Sequence, residues 1–171
     1  MRQSTSALVN VATADDMRAL GRTLGDALRT ASGGALVIGI EGELGAGKTT
    51  LVGGILASLG VTGAIRSPTY TLIEPYEAAG LQLYHIDLYR LSGAREVEAL
   101  GIRDLLSDRA VLLIEWPSRG AGALPIEDLG VSIEYPAAAT ETGQQLRLLA
   151  AQAHSSAGDK LLEQILAATS E

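Results

Sequence analysis

Residues 42–49 read Gly42-Glu43-Leu44-Gly45-Ala46-Gly47-Lys48-Thr49, and the fold of the chain turns on them. The spacing Gly-x4-Gly-Lys-Thr is the Walker A pattern. Its glycines let successive backbone N–H groups turn inward and cup anionic oxygens, which Cβ atoms would otherwise crowd. A helix beginning near Lys48 adds the positive end of its dipole. Lys48 is expected to reach the β- and γ-phosphates, and the Thr49 hydroxyl to coordinate Mg²⁺. The expected ligand is a nucleoside triphosphate, ATP with Mg²⁺. Leu44, Gly45, Ala46, Gly47, Lys48, Thr49 and Thr50 are the residues expected to bind it. Glu43 would repel phosphate if turned inward, so its side chain is expected to face solvent.

The flanking sequence agrees. ALVIGIEG (35–42) is a compact apolar run ending in glycine, a buried strand. The apolar stretch from Thr49 to Leu59 reads as a helix ending at Gly60. Upstream, Met17, Leu20, Leu24 and Leu28 recur at helical spacing from Asp15 to about Ala31. Thr13 is the candidate N-cap there, and Gly33-Gly34 stop the helix. Residues 6–11 are suited to a short edge strand. Further strands are expected at 69–76, 81–87, 110–115, 130–135 and 145–152, with helices at about 94–106 and 158–168. The whole predicts one α/β domain, residues 1–171: a three-layer P-loop NTPase-like fold with a mixed, mostly parallel central sheet flanked by helices.

Composition excludes several classes. The 171 residues suit one domain with one sizeable core. There is no Phe and only one Trp, so Leu, Ile, Val and Ala must build that core, as parallel sheets favour. There is no cysteine, which removes disulfides, thiolate metal sites and a Cys nucleophile, and fits a reducing cytoplasm. MRQSTSALVN has no long apolar run, so a signal peptide is not expected, and no stretch of about 18 apolar residues exists to cross a membrane. The formal net charge of −7, with Lys48 and Lys160 the only lysines, argues against independent nucleic-acid binding.

A phosphate loop needs a carboxylate at the end of a neighbouring strand to hold or orient the metal. LQLYHID (81–87) ends in Asp87, and AVLLIEW (110–116) nearly ends in Glu115. The second run is the more apolar and is expected to be the more central strand. One carboxylate would serve the metal and the other the attacking water; spacing alone does not divide these roles. His85 shares a strand face with Asp87. A half-buried, satisfied histidine is the favoured reading of it, and a hydrogen bond to the site the sharper one. Trp116 points opposite to Glu115; core packing is the plain reading of it, and lining the nucleotide site or a partner surface the sharper one. Arg66-Ser67-Pro68-Thr69-Tyr70-Thr71-Leu72 supplies hydroxyls where many P-loop proteins place a nucleotide-sensing segment, although a plain loop-to-strand junction explains it nearly as well.

GELGAGKTT, SPTYTLIEPY, YHIDLYRL, EALGIRDLL and LLIEWPSR occur in this order. Together they resemble the bacterial TsaE (YjeE) family, over residues 13 to 135. The resemblance implies an ATPase that acts with the TsaB–TsaD pair in making threonylcarbamoyladenosine at position 37 of tRNAs that read codons starting with A. It implies phosphate binding by Lys48, Mg²⁺ ligation by Thr49 and Glu115, and a water-orienting role for Asp87. Thr69 to Leu72 would form a switch-like segment, and the region near Thr13 would approach the adenine. Family members often carry arginines near the penultimate strand. Here Thr142-Gly143-Gln144-Gln145-Leu146-Arg147 offers one, so that part of the pocket is unassigned.

Two other readings compete. A small-molecule P-loop kinase normally closes an Arg-rich lid over the phosphates, whereas Arg90 and Arg95 are the nearest approach to one here. A GTP-dependent switch would carry Asn-Lys-x-Asp, yet Asn10 is the only asparagine.

Overall fold

The computed structural model describes residues 5–31, 33–135 and 146–169. Seven strands form one sheet in the order β1-β7-β6-β2-β5-β4-β3. They are β1 (Ser6–Val11), β2 (Leu36–Gly42), β3 (Ile73–Ala78), β4 (Leu81–Asp87), β5 (Ala110–Glu115), β6 (Leu129–Glu134) and β7 (Arg147–Ala153). The four central strands, β6, β2, β5 and β4, run parallel, while β7, β1 and β3 are antiparallel additions. The mixed sheet with a parallel centre is therefore present, β1 is an edge strand, and β5 lies closer to the centre than β4.

Alternation along the strands separates two cores. Ile38, Ile40, Val111 and Leu113 face a layer built by α1 (Ala14–Thr30), α2 (Lys48–Ser58) and α4 (Ser156–Thr169). Val37, Leu112 and Ile114 face the other way, under α3 (Ala94–Ala99) and two 3₁₀ turns, Ile102–Leu105 and Pro117–Gly120. All six β5 residues are buried, as a central parallel strand requires.

Thr13 closes a capping box on α1: its hydroxyl accepts from Asp16 N–H at 3.0 Å, and the Asp16 carboxylate accepts from Thr13 N–H at 2.9 Å. These bonds to Thr13 lower the Asp16 pKa. Behind the cap, Met17, Leu20, Leu24 and Leu28 are buried as their spacing predicts. The helix crosses α2 through glycines. A Cβ on Gly21 would strike the Leu51 carbonyl, and one on Gly54 the Arg18 carbonyl. Such close backbone packing fixes α2, and with it the loop that α2 begins.

Two expected elements differ. The helix expected over 94–106 ends at Ala99, because Gly101 adopts a left-handed conformation (φ 66°) and the chain restarts as a 3₁₀ turn. The strand expected from residue 69 begins at Ile73. Residues 69–72 form a turn, with Leu72 at φ 65° and its N–H donating to the Pro68 carbonyl at 2.7 Å. Residue 145, the expected start of β7, lies outside the described residues.

Candidate functional site

The loop from Gly42 to Gly47 joins β2 to α2 at the carboxyl ends of the parallel strands, where open α/β sheets bind ligands. Gly42, Gly45 and Gly47 take φ of 152°, 79° and 111°, values an L side chain rarely adopts. A Cβ on Gly42 would also strike the Ile133 carbonyl. Glu43 is exposed, as its charge predicts.

Lys48 stands at the first position of α2 and is 5% exposed. Its Nζ donates to the Gly42 and Glu43 carbonyls at 2.7 and 2.8 Å and lies 3.9 Å from the centre of the Trp116 ring. Burial pulls its pKa below the ordinary lysine value, against the opposing pull of Glu115, Glu41 and Asp87. Trp116 has the core contact considered for it and also touches the loop. It packs on the second core and lays its face on the loop lysine.

Thr49 Oγ1 donates to Glu115 Oε1 at 2.9 Å, with Oε2 at 3.3 Å. Asp87 is the register partner of Glu115 across the β4–β5 ladder. The two carboxylates are 3% and 2% exposed. Asp87 Oδ2 accepts from the Ser67 hydroxyl and, at 2.9 Å, from Thr69; Oδ1 accepts from Tyr89 N–H at 2.9 Å. Asp87 thus ties the 66–72 segment to β4, and this attraction pulls residues 69–72 out of strand geometry. A cavity of about 290 Å³ is lined by Lys48, Thr49, Thr50, Ser67, Thr69, Asp87 and Glu115, together with loop residues Leu44, Gly45 and Gly47. Ala46 is buried beneath the loop, and its N–H donates to the Glu43 carbonyl at 3.1 Å.

These residues suit Mg²⁺. Among the described residues no group of three or more His, Asp or Glu side chains is placed to hold a metal unaided. Mg²⁺ does not require one, since it keeps waters and takes one or two protein oxygens plus phosphate oxygens. Two buried carboxylates facing a single buried ammonium leave a net negative charge that a divalent cation would offset.

Thr13 is exposed and occupied by its capping role, and Met17 one turn later is placed to meet a Cβ on Gly47 at 3.4 Å. The start of α1 therefore lies beside the loop. His85 is fully buried rather than half-buried, and its Nε2 lies 2.7 Å from Glu115 Oε1. Arg90 packs on Tyr70 instead of over the loop, with its guanidinium 4.0 Å from the ring centre. Residues 142–145 of the arginine-poor stretch lie outside the described residues.

Three residues join the site without having been anticipated. Tyr89 caps Asp87 and pairs with Trp116 at 5.0 Å between ring centres. The Tyr135 hydroxyl donates to the Gly45 carbonyl at 3.1 Å. Glu41 Oε2 accepts from Ser118 N–H at 3.0 Å, fixing the turn after Trp116. Apart from the local bond of Tyr89 N–H to Asp87, these contacts join segments far apart in sequence, so no local pattern announces them.

Comparison with known proteins adds an independent line. The family model described as threonylcarbamoyl adenosine biosynthesis protein TsaE matches residues 11–145. A tRNA threonylcarbamoyladenosine biosynthesis protein TsaE of Haemophilus influenzae is 48% identical over 101 residues, 59% of this chain and 64% of that protein. The Bacillus subtilis protein of that name is 41% identical over 98 residues, 57% of this chain and 61% of its own length. The match thus spans less than two thirds of either relative. The Treponema pallidum protein of that name is 35% identical over 120 residues, 70% of this chain and 85% of its own length. A crystal structure of Bacillus subtilis YdiB shares the fold, with a TM-score of 0.74 at 24% identity, covering 98% of this chain and 99% of that one.

Proposed function

This chain belongs to the threonylcarbamoyl adenosine biosynthesis protein TsaE family, and from that premise we propose that it is a Mg²⁺-dependent ATPase supporting tRNA threonylcarbamoyladenosine synthesis. The observation that carries the reading is the pairing of Thr49, the last residue of the phosphate loop, with Glu115 at the end of the adjacent parallel strand.

In this reading Lys48 and the N-terminus of α2 hold the phosphates, and Leu44 to Thr50 wrap them. Thr49 and Glu115 hold Mg²⁺, which neutralises charge on the phosphate oxygens. Asp87, with Ser67 and Thr69, orients the attacking water on the far side. The start of α1 at Thr13 approaches the adenine. No arginine stands over the phosphate cavity among the residues that line it, so hydrolysis is slow until a partner completes the site.

The proposed partner is the TsaB–TsaD pair, which transfers the threonylcarbamoyl group at position 37 of the tRNA while this chain supports its turnover in the cytoplasm. The acidic charge of −7 suits contact through proteins rather than through RNA. No helix among the described residues is long and apolar enough to cross a membrane. An ATPase assay with and without TsaB–TsaD, beside a pull-down, tests the reading. Stimulated release of inorganic phosphate and co-purification are expected. Full-rate hydrolysis by the isolated chain would overturn the partner dependence, and no hydrolysis in either condition would overturn the ATPase assignment.

A further inference from the structure

His85 makes a single polar contact, and that contact is to the carboxylate assigned to the cation. Its ring is 0% exposed, Nε2 lies 2.7 Å from Glu115 Oε1, and Nδ1 has no hydrogen-bond partner. An ionised carboxylate only accepts, so the hydrogen of this bond sits on Nε2. The other nitrogen is then buried without a partner, which costs stability. Leu83 lies two residues earlier on the same face of β4 and Leu113 is the register partner of His85 on β5, while Asp87 two residues later and Glu74, the register partner on β3, share that face without bonding the imidazole. A leucine would fill such a place without an orphaned polar atom. Packing therefore does not explain the imidazole, and its bond to Glu115 does.

Glu115 has two partners whose situations differ. The Thr49 hydroxyl sits on the phosphate loop, lines the phosphate cavity and is itself a proposed metal ligand. His85 lies below the cavity, is not among the residues lining it, and has nothing else to bond. Once Thr49 turns its oxygen to the cation, the imidazole is the remaining donor on Oε1. We infer that His85 is a positioning residue: it holds Glu115 by Oε1 and so leaves Oε2 presented to the divalent cation that accompanies the nucleotide. The inference rests on the Mg²⁺–ATP reading above. It adds that the aim of the carboxylate is set from within the core by β4, and not by the loop.

The test separates the two ideas. ATP binding is measured by equilibrium dialysis with labelled ATP, in EDTA and across a Mg²⁺ titration, for the parent chain, His85→Leu and His85→Gln. In His85→Leu, ATP affinity in EDTA is expected to stay within about twofold of the parent, while the Mg²⁺ midpoint rises by roughly 10- to 100-fold, the scale for losing a partner of a metal ligand. His85→Gln, whose amide N–H reaches about as far as Nε2, is expected to recover most of that loss. An unchanged Mg²⁺ midpoint in His85→Leu would overturn the inference. So would an equal loss of affinity with and without Mg²⁺, or a His85→Gln protein no better than His85→Leu. If His85→Leu does not fold, His85→Gln decides alone: a parent-like midpoint supports the inference, and a midpoint shifted by 10-fold or more overturns it. A parent chain that binds ATP equally with and without Mg²⁺ would instead refute the metal reading, and this inference with it.

Discussion

The Thr49 hydroxyl donates to Glu115 across 2.9 Å, linking the first turn of α2 to the end of β5. A loop hydroxyl and a strand-end carboxylate are thus held together. Glu115→Gln keeps the shape and removes the charge. Mg²⁺-dependent hydrolysis is expected to fall by at least about 100-fold, the upper end of what losing even an outer partner of a metal costs. ATP binding in EDTA is expected to persist, and phosphate release beside dialysis checks both.

Lys48→Ala removes the only cation of the loop. Tight ATP binding and hydrolysis are both expected to vanish, with or without Mg²⁺, because the phosphates lose their direct ammonium partner. Retained turnover would contradict the assignment of the phosphate site. Isothermal titration with ATP gives the answer without depending on catalysis.

The crossing of α1 and α2 gives a stability prediction whose sign is informative. Helix propensity alone favours Gly54→Ala by up to about 1 kcal/mol. The added methyl would meet the Arg18 carbonyl, and overpacking of this kind costs about 1–3 kcal/mol. A net loss is therefore expected, seen as a lower melting temperature. An increase would show that the helices can part.

Glu127 gives a pH prediction. Its carboxyl lies over Gly39 and Gly130, which pair across β2 and β6, and burial raises its pKa above 4.5, with Glu41 adding to the rise and His154 opposing it. A carboxyl with a raised native pKa stabilises fully below its unfolded value, and that contribution is lost as pH rises through the native one. Glu127→Gln does not titrate. Its melting temperature is expected to match the parent below pH 4.5 and to exceed it by a few degrees at neutral pH. Parallel melts from pH 4 to 8 check this.

Thr13→Ala removes one half of a capping box and is expected to cost about 1 kcal/mol, or roughly 2–4 °C in a chain of this size. The Mg²⁺ midpoint is expected to stay unchanged, since Thr13 lies on the adenine side in the proposed reading. Thermal melts and the Mg²⁺ titration together test it.

The sequence was most informative where one segment carries its own signal. The apolar run of β2, the glycines after it and the buried face of α1 follow from local spacing, and Asp87 and Glu115 stand at strand ends because the runs before them are apolar. Relations between segments were not visible. Thr69-Tyr70-Thr71 looks like strand material, yet its conformation follows from Asp87, 18 residues beyond Thr69. The depth of His85 depends on what covers β4, and Gly21 shows its purpose only against Gly54. The break at Gly101 was written locally as a glycine, but helical spacing on either side of it hid the stop.

The glycine crossing has a mechanical consequence. Two helices whose backbones meet with no room for a methyl group are set at a spacing that a larger residue at Gly21 or Gly54 would widen, and the beginnings of both flank the loop. Residues 66–72 are held to the site by side chains instead. That segment carries a Tyr70 that is 83% exposed, and the Ser67 and Thr69 hydroxyls tether it to Asp87.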